Sequence, residues 1–148
     1  MKKDQKGQSM VEFAVIFPFF LFLILSIAYF SFAFADYLQL QHIARDSARM
    51  ASIAAVDKNN ETIRNGQYQK IIEEHRGQAL ISDIYQWGKD EGTYTITYQS
   101  STNNVVVTIK APLNKNSVLG RTVNALAPAE IDMFDIDITY TMYSESTR

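Results

Sequence analysis

The chain has 148 residues, a formal net charge of −2 and no cysteine. This length suits one ordinary domain plus a membrane segment, and is too short for two full domains. The first seven residues carry Lys2, Lys3 and Lys6 against Asp4, so the remainder holds about −4, which argues against nucleic acid as a partner. The lack of cysteine removes disulfides, thiolate zinc sites and cysteine nucleophiles, and leaves stability to packing.

The chain opens with Lys6-Gly7-Gln8-Ser9-Met10-Val11-Glu12-Phe13: a short basic leader, a glycine, then a carboxylate at the mouth of an apolar run. An ionised group at a bilayer edge costs a few kcal/mol unless it is solvated or partnered. Glu12 is therefore either solvated at headgroup level or paired. Cleavage after Gly7 would create an α-amine at Gln8, a cation one helical turn from Glu12. Between neighbouring chains staggered by about one turn, the amine of one could meet the carboxylate of the next, and such a pair in a low-dielectric bundle would set register.

From Phe13 to Ala35 there is no charged residue over 23 positions. At about 1.5 Å per residue the run reaches roughly 35 Å, enough to cross a hydrocarbon core of about 30 Å with a modest tilt. Pro18 removes one helical hydrogen bond and predicts a bend about one turn in. Lysines before the run and Asp36 after it place the N-terminus in the cytoplasm and everything beyond Asp36 outside. Ala33-Phe34-Ala35 also fits a signal-peptidase site, which would make the chain a secreted domain. That reading has to accommodate a run much longer than the usual 7 to 15 apolar residues (about two to four turns), and a glutamate at its start.

Beyond Asp36 the residues Tyr37, Leu38, Leu40, Ile43, Ala44, Ala48, Ala51, Ala54 and Ala55 recur at spacings of three and four, which predicts one helix continuing to about Val56 with a stripe of small residues for close packing. Asp57-Lys58-Asn59-Asn60 breaks it. A second amphipathic stretch is expected from Gln67 to Trp87, with Tyr68, Ile71, Ile72, His75, Ala79, Ile84 and Trp87 on one side and Gly66 and Gly77 weakening its end and middle. His42 and His75 have no companions with which to hold a metal.

The period then becomes two. Thr93 to Gln99 and Asn104 to Lys110 predict paired strands joined by a turn over Ser100 to Asn103. Asn114 to Pro128 reads as a loop with a short helical turn. Phe134 to Met142 alternates again, with Phe134, Ile136, Ile138, Tyr140 and Met142 inward, completing a three-stranded antiparallel sheet laid on the helix. Glu130, Asp132, Asp135 and Asp137 lack calcium-loop spacing and read as a solvated face. The fold class is thus α+β: a leader (1–7), a long N-terminal helix (8–56) with a transmembrane segment (13–35), and an extracytoplasmic domain (57–148) with a second helix and the sheet.

Gly7, the glutamate five residues after it and the long apolar run resemble the class III signal of type IV pilins and pseudopilins. The wording Gly7-Gln8-Ser9-Met10-Val11-Glu12-Phe13-Ala14-Val15-Ile16-Phe17-Pro18, with Ala44-Arg45-Asp46-Ser47-Ala48-Arg49 further on, is similar to TadE-like minor pilins of tight-adherence pilus systems over roughly the first third of the chain. The resemblance implies a type IV pilin-like fold, cleavage between Gly7 and Gln8 by a prepilin peptidase, and a role in assembly for Glu12, Phe13 and Pro18. It also implies other major and minor pilins, the inner-membrane assembly platform and the lipid bilayer as partners. Phe13 stands where the major pilins of these systems carry tyrosine, and Gln8 where other type IV pilins commonly carry phenylalanine; with the sizeable C-terminal domain, both favour a minor pilin. No catalytic constellation or cofactor motif is present, so the expectation is a structural protein, not an enzyme. Its site would be the cytoplasmic membrane, single-pass, with the domain extracellular in an assembled pilus. The rival from another class is an anchored or secreted binding module unrelated to pili.

Overall fold

The computed structural model describes residues 4–54, 60–82, 84–88, 92–126 and 134–144. Helix α1 (Asp4–Ala54) is followed by α2 (Glu61–His75), strands β1 (Tyr94–Gln99) and β2 (Asn104–Ala111), helix α3 (Val118–Leu126) and β3 (Ile136–Tyr143). The sheet is antiparallel with β2 central. This is the expected α+β layout, with a long N-terminal apolar helix, a second helix and a three-stranded sheet.

α1 is one helix of 51 residues, with Pro18 inside it, and at about 1.5 Å per residue it is some 75 Å long. Its two halves meet different surroundings. From Ser9 to Leu25 every side chain is exposed, whereas Leu40, Ala44, Ala48 and Ala51 are fully buried. The small residues let the sheet approach α1 closely, and the core forms between α1, α2 and the inner sheet face. β2 lies at its centre, where Val105, Val107, Ile109 and Ala111 are fully buried. The valine and isoleucine side chains there each contribute about 1.5–3 kcal/mol on burial. Register places Ile96 opposite Val107 and Ile109 opposite Ile138, so apolar side chains of all three strands share one face. The expected inner face of β3 holds for Ile136 and Ile138 and fades toward partly covered Tyr140 and Met142, while Phe134 is exposed. On α1, Leu38 turns outward.

The second helix departs most from expectation. It starts at Glu61, where Asn60 accepts a hydrogen bond from the Ile63 amide (3.3 Å), and ends at His75. Its first two turns are largely exposed and carry no apolar stripe, so the cap was the available signal. Gly77 adopts φ +81° and stops the helix. Ala79, Ile84 and Trp87 therefore belong to irregular chain: Ala79 is exposed, whereas Ile84 and Trp87 are buried. The Trp87 indole N–H donates to the Gln78 carbonyl (2.8 Å), and Tyr85 bridges Leu113. The loop expected over 114–128 instead holds α3. Ser117 caps it by accepting from the Gly120 amide (3.0 Å) while donating to the Asn114 carbonyl (2.8 Å). The turn at 100–103 forms as expected, with Asn103 at φ 55°, a conformation asparagine tolerates. Val56, Ala55, Glu130 and Asp132 lie outside the described residues.

Two glycines give opposite expectations. A Cβ on Gly120 would collide with the Asn114 carbonyl, whereas one on Gly66, within α2, would meet nothing within 4 Å. Gly120→Ala should destabilise the domain by about 1–3 kcal/mol through overpacking. Gly66→Ala should stabilise it by about 0.5–1 kcal/mol through helix propensity. Thermal unfolding of the full chain in detergent micelles reads both.

Candidate functional site

The residues expected to act in processing and assembly all lie in the N-terminal half of α1. The backbone at Gly7 and Gln8 is helical and continuous with the run that follows. Glu12 is exposed, and Phe13 (65% exposed) forms an aromatic pair with Phe17, ring centroids 5.5 Å apart, at the i, i+4 spacing that places two side chains on one helix face. Pro18 is exposed one turn further along. Glu12 stands about 36 Å below Asp36 by helical rise, so the structure keeps the leader group apart from the domain. Within the apolar run, Ser26 and Ser31 donate to the carbonyls of Phe22 and Ile27 (both 2.8 Å). Those internal bonds satisfy both serine hydroxyls in a hydrocarbon setting. This helix is, among the described residues, long and apolar enough to cross a membrane, which suggests a single-pass membrane anchor.

A second cluster forms where the domain first meets α1, and sequence reasoning did not find it. Asp36 is fully buried. Its carboxylate accepts from the Ser82 backbone amide (2.9 Å) and from the Ser82 hydroxyl. A turn further on, the Gln39 amide donates to the Ala79 carbonyl (2.9 Å). Below Asp36, Tyr29 and Ala33 pack against the core, and Tyr85 sits beside Tyr29 and Asp36. Together these contacts form a collar around residues 29–39. Only Asp36 was conspicuous in the sequence, as the first charge after the run; that Ser82 would cap it depends on the non-helical course of residues 78–82.

Further along α1, the segment Ala44-Arg45-Asp46-Ser47-Ala48-Arg49 is divided by helical phase. Ala44 and Ala48 are fully buried, and buried Ser47 shares a hydrogen bond with the Tyr94 hydroxyl. Arg45 lies over the Tyr140 ring at 6.0 Å, toward the sheet. Asp46 reaches His75 of α2 at 3.3 Å, and the other His75 nitrogen meets the Ile71 carbonyl at 3.0 Å. From adjacent positions on α1, Arg45 thus reaches β3 and Asp46 reaches α2. His42 is exposed, and among the described residues no group of three His, Cys, Asp or Glu could hold a metal ion. Asp135, expected on a solvated face, accepts from the Leu113 amide (2.8 Å) and ties the start of β3 to the end of β2.

Removing the Asp36 carboxylate strands the Ser82 amide beneath the domain, which costs about 1–3 kcal/mol. Asp36→Ala should therefore destabilise the domain by that amount and speed proteolysis at residues 78–88, with Asp36→Asn milder. Alkaline pH offers a separate check. Burial, reinforced by the neighbouring Tyr29, Asp36 and Asp135, pushes Tyr85 from 10.0 up to about 12, and burial also raises Tyr68 and Tyr94. Between pH 10 and 12 the unfolded chain releases tyrosine protons that the fold retains. Stability is thus complete below pH 10 and falls as pH rises through that window. Tyr85→Phe should flatten this fall in a pH series of thermal unfolding.

Residues 7–49 match the model of the family described as TadE-like protein. No curated protein and no solved structure matches the chain.

Proposed function

Starting from a TadE-like segment that runs from Gly7 to Arg49 and associates the chain with tight-adherence pili, we propose that it is a minor pilin, cleaved after Gly7 by a prepilin peptidase and acting in the initiation or assembly of the filament. The observation that carries this reading is the family match over a helix whose lower half is apolar, uncovered and headed by Glu12. Side chains exposed along such a length need either lipid or other helices around them. A pilin uses both in turn: lipid before assembly, and the helices of other major and minor pilins within the filament.

In this reading Lys2, Lys3 and Lys6 hold the N-terminus in the cytoplasm, and the domain is carried outside as a structural module that promotes surface adhesion. Cleavage leaves a cationic α-amine on Gln8. The Glu12 carboxylate of a neighbour offers it a partner, and the mismatch penalty for leaving either charge unpaired in an apolar bundle aligns the subunits. Phe13 and Pro18 shape the helix surface on which neighbours pack, at the inner-membrane assembly platform. The secreted-module alternative would cut after Ala35, inside an unbroken helix where Ala33 is already packed on the core and Asp36 is bound to Ser82.

The mature N-terminus decides between them. Intact mass and N-terminal sequencing of protein from its native host should show a start at Gln8, and Gly7→Leu should abolish that cut. A start at Asp36 would establish the secreted domain; an uncut chain, the permanent anchor. Glu12→Ala should leave cleavage and expression intact while piliation falls, and normal piliation in that variant would refute the assembly role.

A further inference from the structure

The domain begins to cover α1 too early for it to stand clear of the membrane. Its core packs on Tyr29 and Ala33, inside the uncharged run that starts at Phe13. The bare part of that run, residues 13–28, spans only about 24 Å by helical rise, against a hydrocarbon core of about 30 Å. Counting about 20 residues from Phe13 brings the hydrocarbon boundary to the level of Phe32. At that level a shallow depression of about 510 Å³ is lined by Phe32, Ile81, Ile84 and Val118 together with Ser82, Asn116 and Ser117, and three of its apolar residues face outward. Phe32 is 51%, Ile81 64% and Val118 83% exposed. Asp36, one turn higher, is sealed under Ser82 instead of reaching for water.

We propose that this membrane-proximal end of the domain, with Ile81 and Val118 at its tip, is seated in the lipid surface of the leaflet it faces. The proposal rests on the reading of α1 as a membrane anchor and is independent of its role in pili. Two observations select lipid as the occupant. The patch is continuous with the apolar surface of the span through Phe32, and covering only the bare length would leave about 6 Å of mismatch. Seating the domain removes the mismatch, buries Ile81 and Val118 as an interfacial apolar surface, and holds the buried Asp36 at headgroup depth. The helix and its domain then enter the bilayer as one body, fixed in height.

The absence of cysteine allows a direct test. Ile81→Cys, Val118→Cys, Phe22→Cys in the span and Ile63→Cys at the far end of the domain are each made in the full chain. Each variant is labelled with nitrobenzoxadiazole and reconstituted into phosphatidylethanolamine–phosphatidylglycerol vesicles containing lipids with nitroxide-bearing acyl chains. The expected result is a blue-shifted emission that loses most of its intensity to the nitroxide at positions 22, 81 and 118, and water-like, unquenched emission at 63. Quenching at 22 without quenching at 81 and 118 overturns the seating while leaving the anchor intact. Shielding at 81 and 118 that grows with protein density and ignores the nitroxide identifies a neighbouring copy as the occupant and likewise overturns it. No quenching at 22 refutes the anchor itself, and the seating with it.

Discussion

A helix is the one backbone arrangement that satisfies its own polar groups in any solvent, and α1 uses this to run through two environments without interruption. Its lower half needs nothing from the rest of the chain, because hydrocarbon surroundings make exposed Phe, Leu and Ile inexpensive. Its upper half cannot remain bare in water. The domain exists on that stripe: β2 and β3 cross it, α2 flanks it, and alanine recurs at the fully buried positions Ala44, Ala48 and Ala51 because backbone must approach backbone. Change the point at which α1 leaves lipid and every element above it would have to move with it.

The contacts along α1 form an ordered ladder. Tyr29 meets Tyr85, Asp36 meets Ser82, Gln39 meets Ala79, Asp46 meets His75, Ser47 meets Tyr94, and Ser144 donates to the Ser52 carbonyl at 3.4 Å. Together the rungs bind the segment after α2, α2 itself, β1 and the end of β3 to successive levels of α1. Polar rungs between apolar ones oppose sliding, since a shift by one turn would leave Asp36 and the Ser82 amide buried without each other. Packing supplies most of the stability, and these bonds fix the register at which it is realised.

Where periodicity was strong, the sequence was readable. The 13–35 run and the strict alternation of Thr93 to Gln99 each identified an element, and the Leu40-to-Ala51 stripe identified a buried face as well. The failures share a physical cause: short-range signals outweighed by contacts distant in sequence. Glu61 to Gly66 shows no apolar period, yet it is helical behind the Asn60 cap. Residues 79–87 show a helical period, yet Gly77 ends the helix and Trp87 is drawn back to the Gln78 carbonyl. Asp36 was legible as a topological charge and illegible as a buried acceptor, because its donor lies 46 residues away on chain whose path no local rule specifies. The leader group from Gly7 to Pro18 was legible by chemical type alone, and it lies on the helix about 36 Å from Asp36, where the domain takes hold.

That separation has a mechanical consequence. Because α1 is unbroken and the domain grips it at several levels, a displacement at the lower end reaches the domain with little loss. Moving the helix by one turn, about 5.4 Å, lifts the whole domain by the same step. In an assembly aligned by the Gln8 amine and Glu12, the charge pairing at the foot of the helix would then set the height at which each domain emerges, some 36 Å above. The collar at Asp36 is what converts one into the other: without a fixed join there, register chosen in the membrane would be lost before it reached the surface that other molecules meet.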